Sequence, residues 1–590
     1  MKTFFASVLG GFVALILFLI LSFFIIAGVI GSIASSASGD SKAPDAMVLQ
    51  IDLRDSMSDQ PTSAGIGVFF ESPAFADALL KLDAAATDPR VKGVFIRSSD
   101  FGIGNSRAEE LRQALKKLQS SGKFVIAHTQ GFLMAGPSAF RSISAADEIW
   151  LQPGSDIILP GMSSETLFMK DLFDDLKISA EIEQFYEYKN APNSYKQSDY
   201  TEPHREAMTE LLSDIWSASL ADIAEDRQFS SESSLRTLLE SGPISPETAL
   251  SSGLVSQLSW PEEAQDAAIE RAGEGAEFVK IAAYKPKQSN TSAPIIAIVG
   301  GEGGIVTGGA SNNPFASDSM FTSDTVSAAL LEAGEDENVK AIVFRVDSGG
   351  GSAIASDQIW RAVQRVREEH NKPVIVSMGT VAASGGFYVA AGADAILANR
   401  TTITGSIGVY GGKWAVADGL REIGINPSIL TVGGEFASAF SLDSFTDAQR
   451  EKLHESLERT YDRFMGIVAD GRNMDESRVR ELARGRVWSG EDAAELGLID
   501  GVGGLIDAIE LAREYAGLDE NAAIRAQFYP KPQSVEEAIA ELFGASAETA
   551  EATARLNALL KNERIQALIA ETQTINSKEI QMRSTVSVQP

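Results

Sequence analysis

The chain has no cysteine, so disulfides, a thiol nucleophile and thiolate-held metal are all excluded. Histidine is nearly as scarce: His128, His204, His370 and His454 are the only four in 590 residues. His370 lies in the charged run Arg367-Glu368-Glu369-His370 and His454 in a polar, helix-like stretch, so neither is placed for catalysis. Positive charge is in deficit, with 50 Lys and Arg against 81 Asp and Glu and a formal net charge of −31. A nucleic-acid surface needs the opposite balance, and the acid excess reads as a soluble, self-repelling surface. No segment fits the lysine-containing phosphate loop G-x-x-x-x-G-K-[ST], which weakens a nucleotide reading.

Charge is absent altogether from Thr3 to Gly39, and Phe4 to Ile33 is almost continuously apolar. About 20 such residues suffice to cross a bilayer as a helix. A cleaved signal peptide ending near Ser36-Ala37-Ser38 is the competing reading, but its apolar region runs only about 7–15 residues. The expectation is an uncleaved N-terminal transmembrane helix over residues 1–38. Lys2 before the span and Asp40 after it place the N-terminus in the cytoplasm and the rest outside, the periplasm in a bacterium.

What the chain has in abundance is itself, twice. "VKGVFIRSSDFGIGNSRAEELRQALKKL" from Val91 resembles "VKAIVFRVDSGGGSAIASDQIWRAVQRV" from Val339, an offset of 340 − 92 = 248. "SAADEIWL" from Ser144 matches "AGADAILA" from Ala391, offset by 394 − 147 = 247 on the aspartates. "SPETALSSGLV" from Ser245 matches "SGEDAAELGLI" from Ser489, offset by 497 − 253 = 244 on the glycines. A slowly drifting offset is the mark of duplication with small indels. Within a half, Val339–Val346 and Pro373–Met378 read as buried strands, Ser356–Glu369 as a helix, and Ser384–Ala391 as the start of another. Apolar strands alternating with helices predict an α/β layer architecture. The expected domains are a repeat over 39–284, a polar, Pro-punctuated linker over 285–294, a second repeat over 295–528, and an accessory, partly helical tail over 529–590.

Two segments of the second half can carry chemistry. In "MGTVAASGGFYVAAGAD" (Met378–Asp394), Ser384 follows a buried strand and precedes Gly385-Gly386 and an apolar helix. A serine at such a turn is exposed at the end of the sheet, beside a helix N-terminus that favours developing negative charge. On its sequence alone a helix-capping serine next to a glycine turn is the better fit. In "VDSGGGSAIAS" (Val346–Ser356), free amides of a glycine turn can form an oxyanion hole, cradle phosphate, or simply turn the chain. Lacking a suitable histidine, such a serine needs another base, and a lysine serves if burial leaves its amine neutral.

Taken in order, "AASGG" with Ser384, "TGSIGV" (Thr404–Val409), "ARGRVWSG" (Ala483–Gly490) and "GLIDGVGG" (Gly497–Gly504) resemble the signal peptide peptidase A family in its long, tandem-repeat bacterial form. The resemblance runs from the anchor to about residue 528. It implies tandem ClpP/crotonase-like α/β domains and a Ser/Lys peptidase with no metal or other cofactor. Ser384 is then the nucleophile. "YKNA" (Tyr188–Ala191), followed by "REA" (Arg205–Ala207), singles out Lys189 as the general base, with Lys196 as runner-up. Ser406 orients the lysine, and amides near Gly350 and Gly385 bind the oxyanion. The family's substrates are cleaved signal peptides and other apolar peptides at the inner membrane, and its long form assembles as a homotetramer. Two departures stand out: Gly349 replaces the family's usual proline, and Asn190 its usual serine.

The repeat offset supplies a check of its own. With 247, Lys189 maps to Phe436 (436 − 247 = 189) and Ser384 to Pro137 (384 − 247 = 137), so each half keeps one member of the pair. The competing functions are a catalytically inactive, membrane-tethered scaffold of the same fold and, more remotely, acyl-CoA chemistry on a crotonase-like frame.

Overall fold

The structure, a computed structural model, describes residues 44–61, 74–132, 136–287, 292–309, 321–520 and 522–531. The expected membrane span and nearly all of the tail lie outside them. Among the described residues no helix is long and apolar enough to cross a membrane.

In the first half the principal elements are β1 (Met47–Asp52), α1 (Phe75–Thr87), β2 (Val91–Arg97), α2 (Asn105–Ser120), β3 (Phe124–Thr129), α3 (Pro137–Ser144), β4 (Glu148–Leu151), β5 (Ser179–Phe185), α4 (Glu202–Asp226), β6 (Gln257–Leu258) and β7 (Glu277–Lys280). Six of the strands form a sheet in the order β6-β4-β3-β2-β1-β7, every neighbour parallel. The second half runs β8 (Ile295–Glu302), α5 (Ser323–Glu335), β9 (Val339–Ser348), α6 (Ala353–His370), β10 (Val374–Ala383), α7 (Gly385–Ala390), β11 (Ala395–Ala398), β12 (Ile403–Gly405), β13 (Val409–Ala415), β14 (Val487–Ser489), β15 (Gly501–Val502) and β16 (Arg525–Tyr529). Its sheet follows the order β14-β12-β10-β9-β8-β16, with β11 branching from β10 and β15 pairing with β11.

The duplication holds at the level of hydrogen bonds. Met47 pairs with Val91 and Ile295 with Val339, offsets of 295 − 47 = 248 and 339 − 91 = 248, and both ladders slip one residue at that same point. Asp147 accepts the Val125 N–H at 2.7 Å, and its counterpart Asp394 accepts that of Val374 at 2.8 Å. Val94–Ile96 and Ile342–Phe344 are fully buried, because parallel strands carry helices on both faces.

Local signals set the boundaries. The Ser352 hydroxyl accepts the Ala355 N–H and starts α6 three residues earlier than its apolar pattern suggests; Asn371, with φ +52°, ends it. Strand β10 continues five residues beyond Met378. Ile375–Met378 pair with β11 while Val381–Ala383 pair with β12, and this second pairing carries the chain to Ser384. Tyr284 is buried, its hydroxyl on Asp88, and Tyr529 is buried in β16, its hydroxyl on Asp336.

The halves meet through a ribbon and a buried ionic seam. Strand β5 of the first pairs antiparallel with β13 of the second, from Phe185–Val409 to Ser179–Ala415. Arg345, fully buried in β9, binds Glu110 through both terminal nitrogens at 2.8 Å and Asp59 at 3.0 and 3.1 Å. Arg400 reaches back to Glu109 at 3.0 Å and Asp222 at 2.7 Å.

Candidate active site

The segment after β5 and the turn after β10 bring Lys189 and Ser384 together across 195 residues of chain. Lys189 Nζ lies 3.0 Å from Ser384 Oγ, 2.9 Å from Ser406 Oγ and 3.0 Å from the Ser406 carbonyl. Lys196 does not join them: its amine donates to the Ile182 carbonyl at 2.7 Å and Gln184 Oε1 at 3.2 Å. Pro137, the counterpart of Ser384, is the first residue of α3, and Phe436, the counterpart of Lys189, is partly exposed. A proline has no hydroxyl and a phenylalanine no amine. Each half therefore contributes one of the two side chains that meet at the seam.

The lysine is only 3% exposed. Burial pushes its amine down to about 7, with no charged neighbour contributing to the shift. A neutral amine has two N–H groups and one lone pair. The two Ser406 oxygens can accept both N–H groups, leaving the lone pair for the Ser384 hydroxyl.

Ser384 stands at φ +55°, ψ −117°, a conformation that costs an L residue strain and turns its side chain out of the strand. Its N–H is fixed by the Gly405 carbonyl at 2.8 Å. Ser406 is held in the same manner, at φ +50°, with its N–H on the Arg486 carbonyl at 2.6 Å. The plain capping role for Ser384 fails, since its side chain accepts no bond from α7.

The glycine turn closes the other side. Gly350 has φ +99°, and a Cβ there would come within 2.6 Å of the Gly385 nitrogen and 2.9 Å of Ser384 Cβ. The turn thus lies directly against the serine. Gly385 opens α7, so its N–H has no acceptor within the helix. The Gly350 N–H donates to Ser348 Oγ at 3.1 Å. Gly349 is exposed and a Cβ on it would meet nothing within 4 Å, so the missing proline removes a constraint without opening a steric gap. Asn190 anchors the lysine segment, its carbonyl accepting the Asn193 N–H at 2.9 Å and its side-chain oxygen the Asn193 amide at 3.2 Å.

The histidines have other occupations. His128 is buried against the Ser259 carbonyl and burial lowers it to about 4. His204 packs with Phe168 and Tyr200, and His454 with Phe185. Among the described residues, no group of His, Asp and Glu is arranged to hold a metal.

One element of the site has no counterpart in the reading of the sequence. Residues 484–489 form a strap across both Lys189 and Ser406. The Arg484 carbonyl accepts the Tyr186 and Tyr188 N–H groups at 3.3 and 3.2 Å, and Gly485 donates to the Ile407 carbonyl at 2.9 Å. Gly485 has φ +84°, and a Cβ on it would stand 2.6 Å from the nitrogen, Cα and Cβ of Lys189. Only its motif "ARGRVWSG" marks it in the sequence, where a glycine between two arginines gives no role away. Gly485→Ala is expected to displace the lysine while the domains stay folded. The expected result is a fall in kcat on the order of 10²-fold with a modest loss in Tm, measured on the same preparation.

Comparison with known proteins agrees with this geometry. The model of Peptidase family S49 matches residues 117–274 and 366–519, the first segment containing Lys189 and the second Ser384 and Ser406. The chain is 29% identical over 490 residues to the chloroplastic serine protease SPPA of Arabidopsis thaliana, covering 81% of this chain and 70% of that protein. It is 27% identical to Protease 4 of Haemophilus influenzae (76% of this chain, 74% of that one) and 29% identical to Protease 4 of Salmonella typhi (75% and 72%). Two matched segments in one chain, each on one of the two repeats, and similarity to these proteases over most of its length leave one assignment: the chain belongs to peptidase family S49 in its tandem-repeat form and is a serine peptidase.

Proposed function

We propose that this peptidase is a membrane-tethered endopeptidase that degrades leftover signal peptides and other apolar peptides after their release, using Ser384 and Lys189 as a dyad. The observation that carries the reading is the 3.0 Å approach of a buried lysine amine to a serine hydroxyl at a strained strand–helix turn. Neutral Lys189 takes the Ser384 proton as Oγ attacks the peptide carbonyl. The amine, now charged, returns that proton to the leaving nitrogen as the peptide bond breaks. A water, deprotonated by the same lysine, then splits the acyl ester and restores Ser384. Ser406 holds the lysine through both of its oxygens. The Gly385 N–H faces the developing oxyanion, and the Gly350 N–H joins it by exchanging Ser348 for the oxyanion.

The uncharged stretch Phe4–Ile33 supports an inner-membrane anchor with both repeats on the periplasmic side. In this reading the repeats occupy 39–284 and 295–528, joined by 285–294 and followed by the tail, with Tyr529 closing the last strand of the second repeat. Exposed Ile423, Ile425, Leu430, Val432, Phe436 and Phe440 form an apolar stretch that supports assembly, in this reading as a homotetramer.

Cleavage of an apolar peptide by the detergent-solubilised full chain tests the reading through its pH dependence. A base that must be neutral gives an activity that rises as pH passes through about 7 and stays high above it. An activity that falls over that interval, as a base–acid pair of carboxylates would give, sinks the lysine mechanism.

A further inference from the structure

The strap that seats Lys189 is tied to the first half by one side chain. Arg486 Nη1 binds Glu206 at 2.7 Å and its Nη2 binds Glu210, two residues one turn apart on α4, the helix that follows Lys189. Its guanidinium lies over the Tyr188 ring at 4.9 Å and the Trp488 ring at 4.4 Å. Tyr188, the residue before the lysine, donates its hydroxyl to the same Glu206 at 3.0 Å. The Arg486 backbone meanwhile holds the Ser406 N–H, and its neighbour Gly485 touches Lys189. One residue thus connects the base, the serine that orients the base, and the helix behind both.

We propose that Arg486 is a positioning residue for the reaction: it latches the strap to α4 and so keeps the pocket of Lys189 closed to water. The inference rests on the Ser384–Lys189 reading. Its physical core is that the lysine is held near neutrality by burial alone, with no cation beside it to do the same work. Loosening the strap admits water, water favours the ammonium form, and the amine regains its proton at neutral pH. A purely structural contact would lower activity at every pH; this one moves the pH at which activity begins. The planar fork and its stacking between two rings require arginine, and lysine can supply only the charge.

The other titratable groups at this seam are Glu187, paired with Arg484, and Asp214, which burial and the adjacent Asp492 push up to about 6. Asp214 lies farther along α4, and Asp492 in the short helix Gly490–Glu495 that follows the strap. Asp214→Asn is therefore included as a control, with the acid limb expected in place.

The test measures kcat and KM against pH for the wild type, Arg486→Met, Arg486→Lys and the double variant Glu206→Gln/Glu210→Gln. In Arg486→Met and the double glutamine variant the acid limb of kcat is expected to move up by about one pH unit or more, so that kcat at pH 7 falls about fivefold or more. At pH 9.5 kcat returns toward the wild-type value, KM changes less than about twofold, and Arg486→Lys lies between. An unmoved limb, or a uniform loss at every pH, overturns the role of Arg486. So does a limb that moves equally in Asp214→Asn. If Arg486→Met does not fold, the double glutamine variant decides, since it alters only half-exposed carboxylates. Ser384→Ala and Lys189→Met run alongside: activity in either refutes the dyad itself, whereas silence in both with an unmoved limb refutes the latch alone.

Discussion

Ser384→Ala and Lys189→Met should each lower kcat on the order of 10⁴-fold or more, and the double variant should be no worse than either single one. In the proposed mechanism the two side chains share a single proton transfer across their 3.0 Å contact, so removing one leaves the other without a task. The accompanying stabilities separate this from damage to the fold. A buried amine lowered from 10.5 to about 7 binds fewer protons folded than unfolded between those values, so its burial opposes folding most below pH 7 and least above 10.5. Lys189→Met replaces that amine with an apolar chain of similar length. Its Tm at pH 7 should therefore equal or exceed that of the wild type while its activity vanishes. A Lys189→Met protein that still cleaves peptide, together with a dead Lys196→Met, would move the base to Lys196 and contradict the geometry.

The second large effect concerns stability. Arg345 is fully buried between Asp59 and Glu110, which the first half inserts into the second, and Glu110 also accepts the Leu505 N–H at 2.7 Å. Arg345→Met leaves two buried carboxylates without their cation, a loss of about 3–5 kcal/mol. The neighbouring Arg107 offsets part of this, because it already lies 3.8 Å from Asp59. Adding Asp59→Asn and Glu110→Gln removes the stranded charge and should recover most of the stability. Urea unfolding reads both steps. Should Arg345→Met unfold at the wild-type midpoint, the seam is not held by its charges. The same variant should lose activity before it unfolds globally, since separating the halves parts Lys189 from Ser384.

Much of this architecture could be read from residue order because duplication makes the sequence its own comparison. The offset near 248 located equivalent strands, and the structure repeats it down to the one-residue slip beside Val91 and Val339. The split of the pair between Lys189 and Ser384 was visible too, because the counterpart positions hold Phe436 and Pro137. What escaped the sequence is what depends on contacts distant in chain. The β5–β13 ribbon joins segments whose short apolar runs carry no marker of pairing. The strap 484–489 matters for where its carbonyls and one glycine point, which composition does not encode. The positive φ of Ser384 is likewise imposed from outside, by the Gly405 carbonyl and the Gly350 turn, on a residue with no preference for it. Tyr529 reads as the start of a tail, yet its ring is buried and its hydroxyl is held by Asp336.

The division of the reacting pair between the repeats also bears on how the molecule comes into being. A chain made from its N-terminus presents Lys189 first, and 195 more residues must follow before Ser384 exists. The first repeat shares its core with Ile296, Val343 and Leu505 of the second and buries Asp59 and Glu110 against Arg345, so its packing is complete only when the second is present. The second cannot be completed until β16 closes the edge of its sheet, near residue 529. On the proposed Ser384–Lys189 reading, hydrolytic power arrives last, with docking of the halves rather than with synthesis of any one residue. On that reading, inactivity of the unfinished chain follows from the split of the pair itself.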